Sequence, residues 1–239
     1  MTVEKILEKL VSFPVLGGES NLTLLNWIKE YIESYGVDVH LVPNEEGNKA
    51  SLHCRIGPAI DGGVILSGHM DVVPVAGQDW TTDPFTLTDK GDGKLYGRGS
   101  CDMKGFLACC LAALPQMVKG DLKKPIYFAF SYDEEVGCLS APELARAIRT
   151  DYKETPKYAI IGEPSLMEPI VGQKGIYILE TYVNGSAGHS SRIKQEVSAI
   201  HEAMRLILWL EKKMDQLIAD NRLDERFHPP HSSIHVGLV

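Results

Sequence analysis

The chain has 239 residues, 44% of them hydrophobic, and a formal net charge of -8. A chain of this length buries roughly three quarters of its unfolded surface, so one large domain, or one and a half, can hold together without disulfides. The charge is spread without a basic run, which argues against a nucleic-acid or anionic-membrane partner, and no stretch approaches about 18 consecutive apolar residues, so no membrane span is expected.

In chain order, Ile6, Leu7, Leu10 and Val11 recur at helical spacing and predict a helix over 3–13. The N-terminus runs directly into this helix with no charged start followed by an apolar run, so no signal peptide is expected. Asn21 reads as the N-cap of a second helix carrying Leu22, Leu25, Ile28 and Ile32 on one face. Val37, Val39 and Leu41 alternate with polar residues, as in a strand, and 51–56 reads as another strand.

Three uninterrupted apolar runs follow, at 64–66, 126–130 and 158–161. Unbroken runs are expected of strands buried on both faces. Helices are predicted between them, near 105–117 and 141–149. Strands alternating with helices predict an α/β fold, a three-layer sandwich around a mostly parallel or mixed sheet. After about residue 175 the character changes. A strand is predicted over 176–184, a loop at 185–188, a long helix near 196–219 and a further strand over 233–239.

The five cysteines are odd in number and form no Cys-x-x-Cys pair, which fits reduced thiols in a cytoplasmic protein.

Each of the three apolar runs is followed at once by ligand-type side chains: His69 and Asp71, then Glu134 and Glu135, then Glu163. Ligands of α/β sheets gather beyond the carboxyl ends of strands, so the three ends predict one convergent site. Taken singly, each acidic residue could be a solvated loop residue. Asp71, two residues after His69, is placed to hold the second ring nitrogen of a ligating imidazole. Asp102 lies among Gly97, Gly99 and Gly105; the glycines imply unusual backbone angles or close approach that would turn it inward, whereas alone it would read as a helix cap. In Asp133-Glu134-Glu135, neighbours on an extended chain point opposite ways, so one carboxylate can bind metal while the other faces water; a solvated acidic turn is the alternative. Their mutual repulsion raises the pKa of one of them, as a base for amide hydrolysis requires. Mixed nitrogen and oxygen donors suit zinc, manganese or cobalt.

The runs Gly68-His69-Met70-Asp71-Val72-Val73-Pro74, Trp80-Thr81-Thr82-Asp83-Pro84-Phe85, Leu95-Tyr96-Gly97-Arg98-Gly99, Asp102-Met103-Lys104-Gly105, Asp133-Glu134-Glu135 and Gly162-Glu163-Pro164 stand in one order along the chain. In that order they resemble the dinuclear zinc exopeptidase and deacylase family, over the whole chain. The resemblance implies two divalent metal ions, zinc foremost with cobalt or manganese as alternatives. It implies that His69 and Glu163 hold one ion, Glu135 the other, and that Asp102 bridges them. Asp71 orients His69, and Glu134 is the general base and then the general acid. Gly185-x-x-Gly188-His189-Ser190-Ser191 resembles the family's lid motif, so His189 is expected to reach a partner subunit's site and stabilise the oxyanion.

The implied partners are a small-molecule N-acyl amino acid and a second copy in a homodimer. The implied domains are a metal-binding catalytic part at 1–175 and an inserted α+β lid and dimerisation part at 176–239, incomplete here. The family's remaining histidine ligand lies beyond its lid; His228, His231 and His235 fall in the wrong region to supply it. Alternatives are a dipeptidase of the same family, a non-catalytic binding protein on the same scaffold, and a cysteine hydrolase using Cys101 or Cys138.

Overall fold

The computed structural model of the chain describes residues 1–192, 194–220 and 223–239. The chain divides into two compact units, Met1–Met167 and Glu168–Val239. In the first, Thr2 caps α1 (Val3–Val11) by accepting the Lys5 N–H at 3.4 Å, and Ile6, Leu7, Leu10 and Val11 form its buried stripe. α2 (Leu22–Glu33) buries Leu24, Leu25, Ile28 and Ile32. Asn21 precedes α2 as expected, but its side chain does not cap the helix. It turns instead to Ala50, accepting the backbone N–H at 3.0 Å and donating to the carbonyl at 2.7 Å. A buried amide that satisfies both groups of a strand residue outweighs one capping bond, because unpaired buried groups are costly.

β1 (Val39–Pro43) starts two residues later than the alternation predicts and pairs antiparallel with β2 (Ala50–Ile56). β3 (Val64–His69) follows, then a small hairpin of β4 (Thr88–Asp89) and β5 (Leu95–Tyr96). α3 (Lys104–Lys119), β6 (Ile126–Ser131), α4 (Ala141–Asp151) and β7 (Tyr158–Ile161) complete the unit. Among the described residues the main sheet has five strands in the order β1-β2-β6-β3-β7, with β3 parallel to β6 and β7 and the other pairs antiparallel. The sheet is therefore mixed, as expected.

Alternation along β6 builds the two cores. Phe128 and Phe130 join Leu52 and Cys54 against α1, α2 and α3. Tyr127 and Ala129 join Leu144, Ile148 and Tyr152 of the α4 side. Helices on both faces of one sheet make the predicted three-layer sandwich. Each fully buried large apolar side chain, such as Phe128 or Ile28, contributes about 1.5–3 kcal/mol.

The expectation that all three apolar runs are buried on both faces holds for β6, where 127–130 are buried; the run at 64–66 in β3 is only half-buried, and the expectation fails outright at β7. Tyr158, Ile160 and Ile161 are 62%, 53% and 57% exposed. Among the described residues β7 is the sheet's edge strand and pairs only with β3, which leaves its outer side without a neighbouring strand there.

In the second unit Ser198 caps α5 (Ala199–Ala219) by accepting the His201 N–H at 3.3 Å. The strands predicted over 176–184 and 233–239 do not form among the described residues. A strand needs a neighbouring ladder for its backbone groups, and here none is present to pair with Ile176 or Ile178, which are 87% and 79% exposed. No helix among the described residues is long and apolar enough to cross a membrane.

Candidate metal centre

His69 is the last residue of β3 and lies opposite Ser131, the last of β6; Ser67 lies opposite Ile161, the last of β7. The parallel register therefore brings residues 69–71, 132–135 and 162–163 to one end of the sheet, the end where α/β folds gather ligands.

His69 and Asp71 are both buried. His69 Nδ1 lies 2.9 Å from the Asp71 backbone carbonyl and 3.6 Å from its carboxylate Oδ1. Nδ1 donates to that carbonyl, so once the ring gives up its second proton Nε2 is the nitrogen free to ligate. So the backbone of Asp71 orients the imidazole more closely than its side chain does. The side chain also binds two amides, Oδ1 accepting the Glu134 N–H at 3.2 Å and Oδ2 the Glu135 N–H at 3.1 Å.

The Glu134-Glu135 pair is not extended, contrary to the expectation from sequence. The Glu134 carbonyl accepts the N–H groups of Gly137 and Cys138 at 2.9 and 3.0 Å, closing a turn. Two amide donors captured by one buried carboxylate favour that turn over an extended chain, so both side chains reach the same cluster. Glu134 Oε2 and Glu163 Oε1 lie 3.9 and 3.8 Å from His69 Nε2, and Asp102 Oδ1 lies 3.1 Å from it. Donor atoms of His69, Asp102 and Glu135 all fall within 4.8 Å of one another.

The electrostatics of this cluster fit a cation. Burial pushes the Glu135 carboxyl up, with Asp102 and Glu134 adding to it; burial and Asp102 do the same to Glu163. Burial works to lower His69, yet Asp71 and Glu163 outweigh it and raise the imidazole to about 9. Burial likewise works to raise Asp71, and hydrogen bonds from His69 and the Glu135 amide hold it below the usual carboxylate range. Carboxylates gathered around one imidazole, with raised carboxyls among them, form a donor set of the mixed type that divalent ions such as zinc take. The residues present therefore fit a metal centre.

Asp102 is not a helix cap: Met103 holds the capping position of α3, with no side-chain bond. Gly99 has φ 79°, and a Cβ there would lie 2.7 Å from Val72 Cγ1, so the glycine-rich loop meets both expectations, unusual angle and close approach. The motifs gave no role to Lys104. It is fully buried, donates to the Phe13 carbonyl at 2.7 Å, and is pushed by burial down to about 7 against the pull of Asp71. Its signal was its place beside Asp102 in the glycine-rich run.

His189 lies in the second unit, exposed. Its Nδ1 accepts the Ser191 N–H at 3.2 Å and lies 2.8 Å from the Ser191 hydroxyl, which assigns the proton of the neutral ring to Nε2. His231 holds its Nδ1 3.0 Å from the Ser232 carbonyl in the same unit. All five cysteines are free. Cys138 donates to Glu134 Oε1 at 3.4 Å, and burial with the Glu134 bond pushes its thiol up, away from a nucleophilic thiolate.

Peptidase family M20/M25/M40 matches residues 65–231. An acetylornithine deacetylase of Pectobacterium carotovorum subsp. carotovorum (strain PC1) is 38% identical over 217 residues, covering 89% of this chain and 52% of the relative. Among solved structures, human carnosine dipeptidase 1 superposes with a TM-score of 0.57 at 26% identity, covering 66% of this chain and 37% of that one. An M20 family metallo-carboxypeptidase, Sso-CP2 from Sulfolobus solfataricus, gives 0.58 at 24%, covering 67% and 37%, and shares the fold. The chain spans about half the length of the curated relatives it matches, 52% to 56%.

Proposed function

The chain belongs to peptidase family M20/M25/M40, a family of metal-dependent hydrolases, and from that premise we propose that it carries the metal-binding half of a deacetylase. Its substrate is N-acetylornithine, and its products are ornithine and acetate, a step of arginine biosynthesis. The observation that carries the reading is the convergence of His69, Asp102 and Glu135 within 4.8 Å, with Glu134 and Glu163 beside them. The substrate rests on the resemblance to relatives named acetylornithine deacetylase.

In this reading His69 and Glu163 would hold one divalent ion and Glu135 the other, with Asp102 a ligand they would share; zinc is the first choice, with cobalt or manganese as alternatives. When bound, such ions make water acidic and polarise the acyl carbonyl. Asp71 keeps His69 in its ligating tautomer and keeps Glu134 and Glu135 in register. Glu134 takes the proton of the attacking water and returns it to the leaving amine. His189, with its proton on Nε2, donates to the oxyanion across a homodimer. Residues 176–239 form part of the lid and dimerisation domain. Exposed Ile200 and Leu208 on α5, 73% and 53% exposed, support a covering partner there.

A second reading, a dipeptidase, has the likeness to human carnosine dipeptidase 1 in its favour. The test is zinc per chain after equilibration and desalting, followed by turnover of acetyl, succinyl and dipeptidyl amides. About two ions and preferential release of acetate from N-acetylornithine support the proposal; preferential dipeptide cleavage supports the rival; a chain that takes up no zinc overturns both.

A further inference from the structure

Asp133 immediately precedes the two glutamates and takes no part in the chemistry proposed for them. It is 3% exposed and has φ 56°, in the left-handed region that side chains avoid and that Asp tolerates better than most. Such a conformation persists where its surroundings over-determine it. Three contacts do so here. Its carboxylate Oδ1 accepts the Gly18 N–H at 2.9 Å, from the loop between α1 and α2. Its Oδ2 accepts the Lys49 ammonium, at the entry to β2. Its carbonyl accepts the Leu139 N–H at 3.1 Å, closing the turn that holds Glu134 and Glu135.

Lys49 is itself held. Its N–H donates to Asn44 Oδ1 at 2.9 Å, its ammonium reaches the Gly18 carbonyl at 3.3 Å, and it lies 5.5 Å from the Tyr132 ring centre. The neighbouring Gly17 closes the same side: its N–H donates to the Val72 carbonyl at 3.1 Å, and a Cβ there would sit 3.0 Å from Val136 Cγ1 and 3.3 Å from Glu135 Cβ. Asp71 grips the two glutamates from within the site, and Asp133 with Lys49 grips the same turn from its other end.

We infer that Lys49 and Asp133 are a positioning pair for the metal centre, setting the place of Glu135 and Glu134 without touching metal or substrate. The inference rests on the metal-centre reading. Pairing also keeps a buried carboxylate from standing alone, since an uncompensated buried charge is strongly destabilising. Charge and position predict opposite signs for one variant. Removing the Lys49 cation makes the surroundings more negative, which by charge alone tightens a divalent ion. Losing the turn's register loosens it.

The experiment is zinc titration calorimetry on the full chain and on Asp133→Asn, Asp133→Ala, Lys49→Met and Lys49→Arg, with far-ultraviolet circular dichroism confirming the fold of each. Lys49→Met and Asp133→Ala are expected to weaken zinc by roughly tenfold or more, the usual effect of losing a group that holds a ligand in place. Lys49→Arg keeps affinity within about threefold, because a cation still reaches the carboxylate. Asp133→Asn gives the same comparison if the alanine variant does not fold. If the folded variants bind zinc within about twofold of the parent, the pair's role is structural only and the inference is overturned. Tighter binding by Lys49→Met overturns it too, by showing that charge rather than position acts. A parent chain that takes up no zinc overturns the metal-centre reading and this inference with it.

Discussion

The carboxylate of Asp71 accepts the backbone N–H of Glu135 at 3.1 Å, so a residue at the end of β3 fixes a residue at the end of β6. The adjacent Glu134 N–H takes the other oxygen at 3.2 Å. One buried side chain thus ties two strand ends together and leaves both glutamate side chains directed at the same cluster.

Replacing Asp71 with Ala strands two amide donors and removes a carboxylate from beside His69. A buried unsatisfied group costs about 1–3 kcal/mol, so Asp71→Ala is expected to lower the urea midpoint by a free energy of about 2 kcal/mol or more. Zinc affinity falls with it. Unchanged stability and unchanged zinc binding together would show that solvent replaces the carboxylate.

Glu134 is expected to move protons and not to hold metal. Glu134→Gln should reduce acyl-amide turnover by roughly two to four orders of magnitude while zinc content stays at the parent level. Glu135→Gln should reverse the pattern and lower zinc content. The measurements are elemental analysis and acetate release on the same preparations. Retained turnover in Glu134→Gln would remove it as the base.

Metal removal provides a third check. A ligand that binds only the folded chain raises its melting temperature in a concentration-dependent way. Dialysis against a chelator should therefore lower the melting temperature, and added zinc should restore it. Alkylation of the exposed Cys101 and Cys138 should leave zinc uptake intact, which separates a metal site from a thiol site.

His53, which takes no part in this chemistry, sets a pH dependence. It is fully buried, stacked on His40 with ring centres 5.0 Å apart, and its Nε2 lies 3.2 Å from Asp151. Burial lowers its pKa, helped by His40 and opposed by Asp151. The unfolded chain, with His near 6.5, therefore binds this proton more readily than the folded one. Stability is fully present above about pH 6.5 and falls as pH drops below it toward the folded pKa. Melting curves from pH 7.5 to 5 should show a smaller decline in His53→Gln than in the parent. Parallel declines would mean that other groups carry the acid sensitivity.

Gly99→Ala combines a φ of 79° with a Cβ 2.7 Å from Val72 Cγ1. Strain and overpacking together are expected to cost about 2–4 kcal/mol, read from chemical unfolding. The loop it anchors carries Asp102, so zinc affinity should fall alongside. A near-neutral change would mean that Val72 moves aside at little cost.

Much of the first unit was legible in the sequence because hydrophobic periodicity is a local property. The spacing of Ile6, Leu7, Leu10 and Val11, the run from Ile126 to Phe130, and ligand-type residues directly after three strands each follow from side-chain order alone. The candidate ligand set His69, Asp102, Glu135 and Glu163 came instead from the ordered motifs and their resemblance to a known family, since side-chain order alone left Asp102 a helix cap and did not choose between Glu134 and Glu135. Tertiary structure decided what depends on partners distant in the chain. Asn21 satisfies Ala50 instead of a helix end. The carboxylate of Asp71 goes to two amides more than 60 residues away, which folds Glu134 and Glu135 into a turn. Lys49 and Gly18 close on Asp133 across 84 and 115 residues. The apolar run of β7 lies at an exposed edge, and among the described residues the runs over 176–184 and 233–239 join no ladder. Periodicity records which faces a segment can bury; whether a backbone donor, a charge or a strand edge finds its partner is set only when distant segments meet.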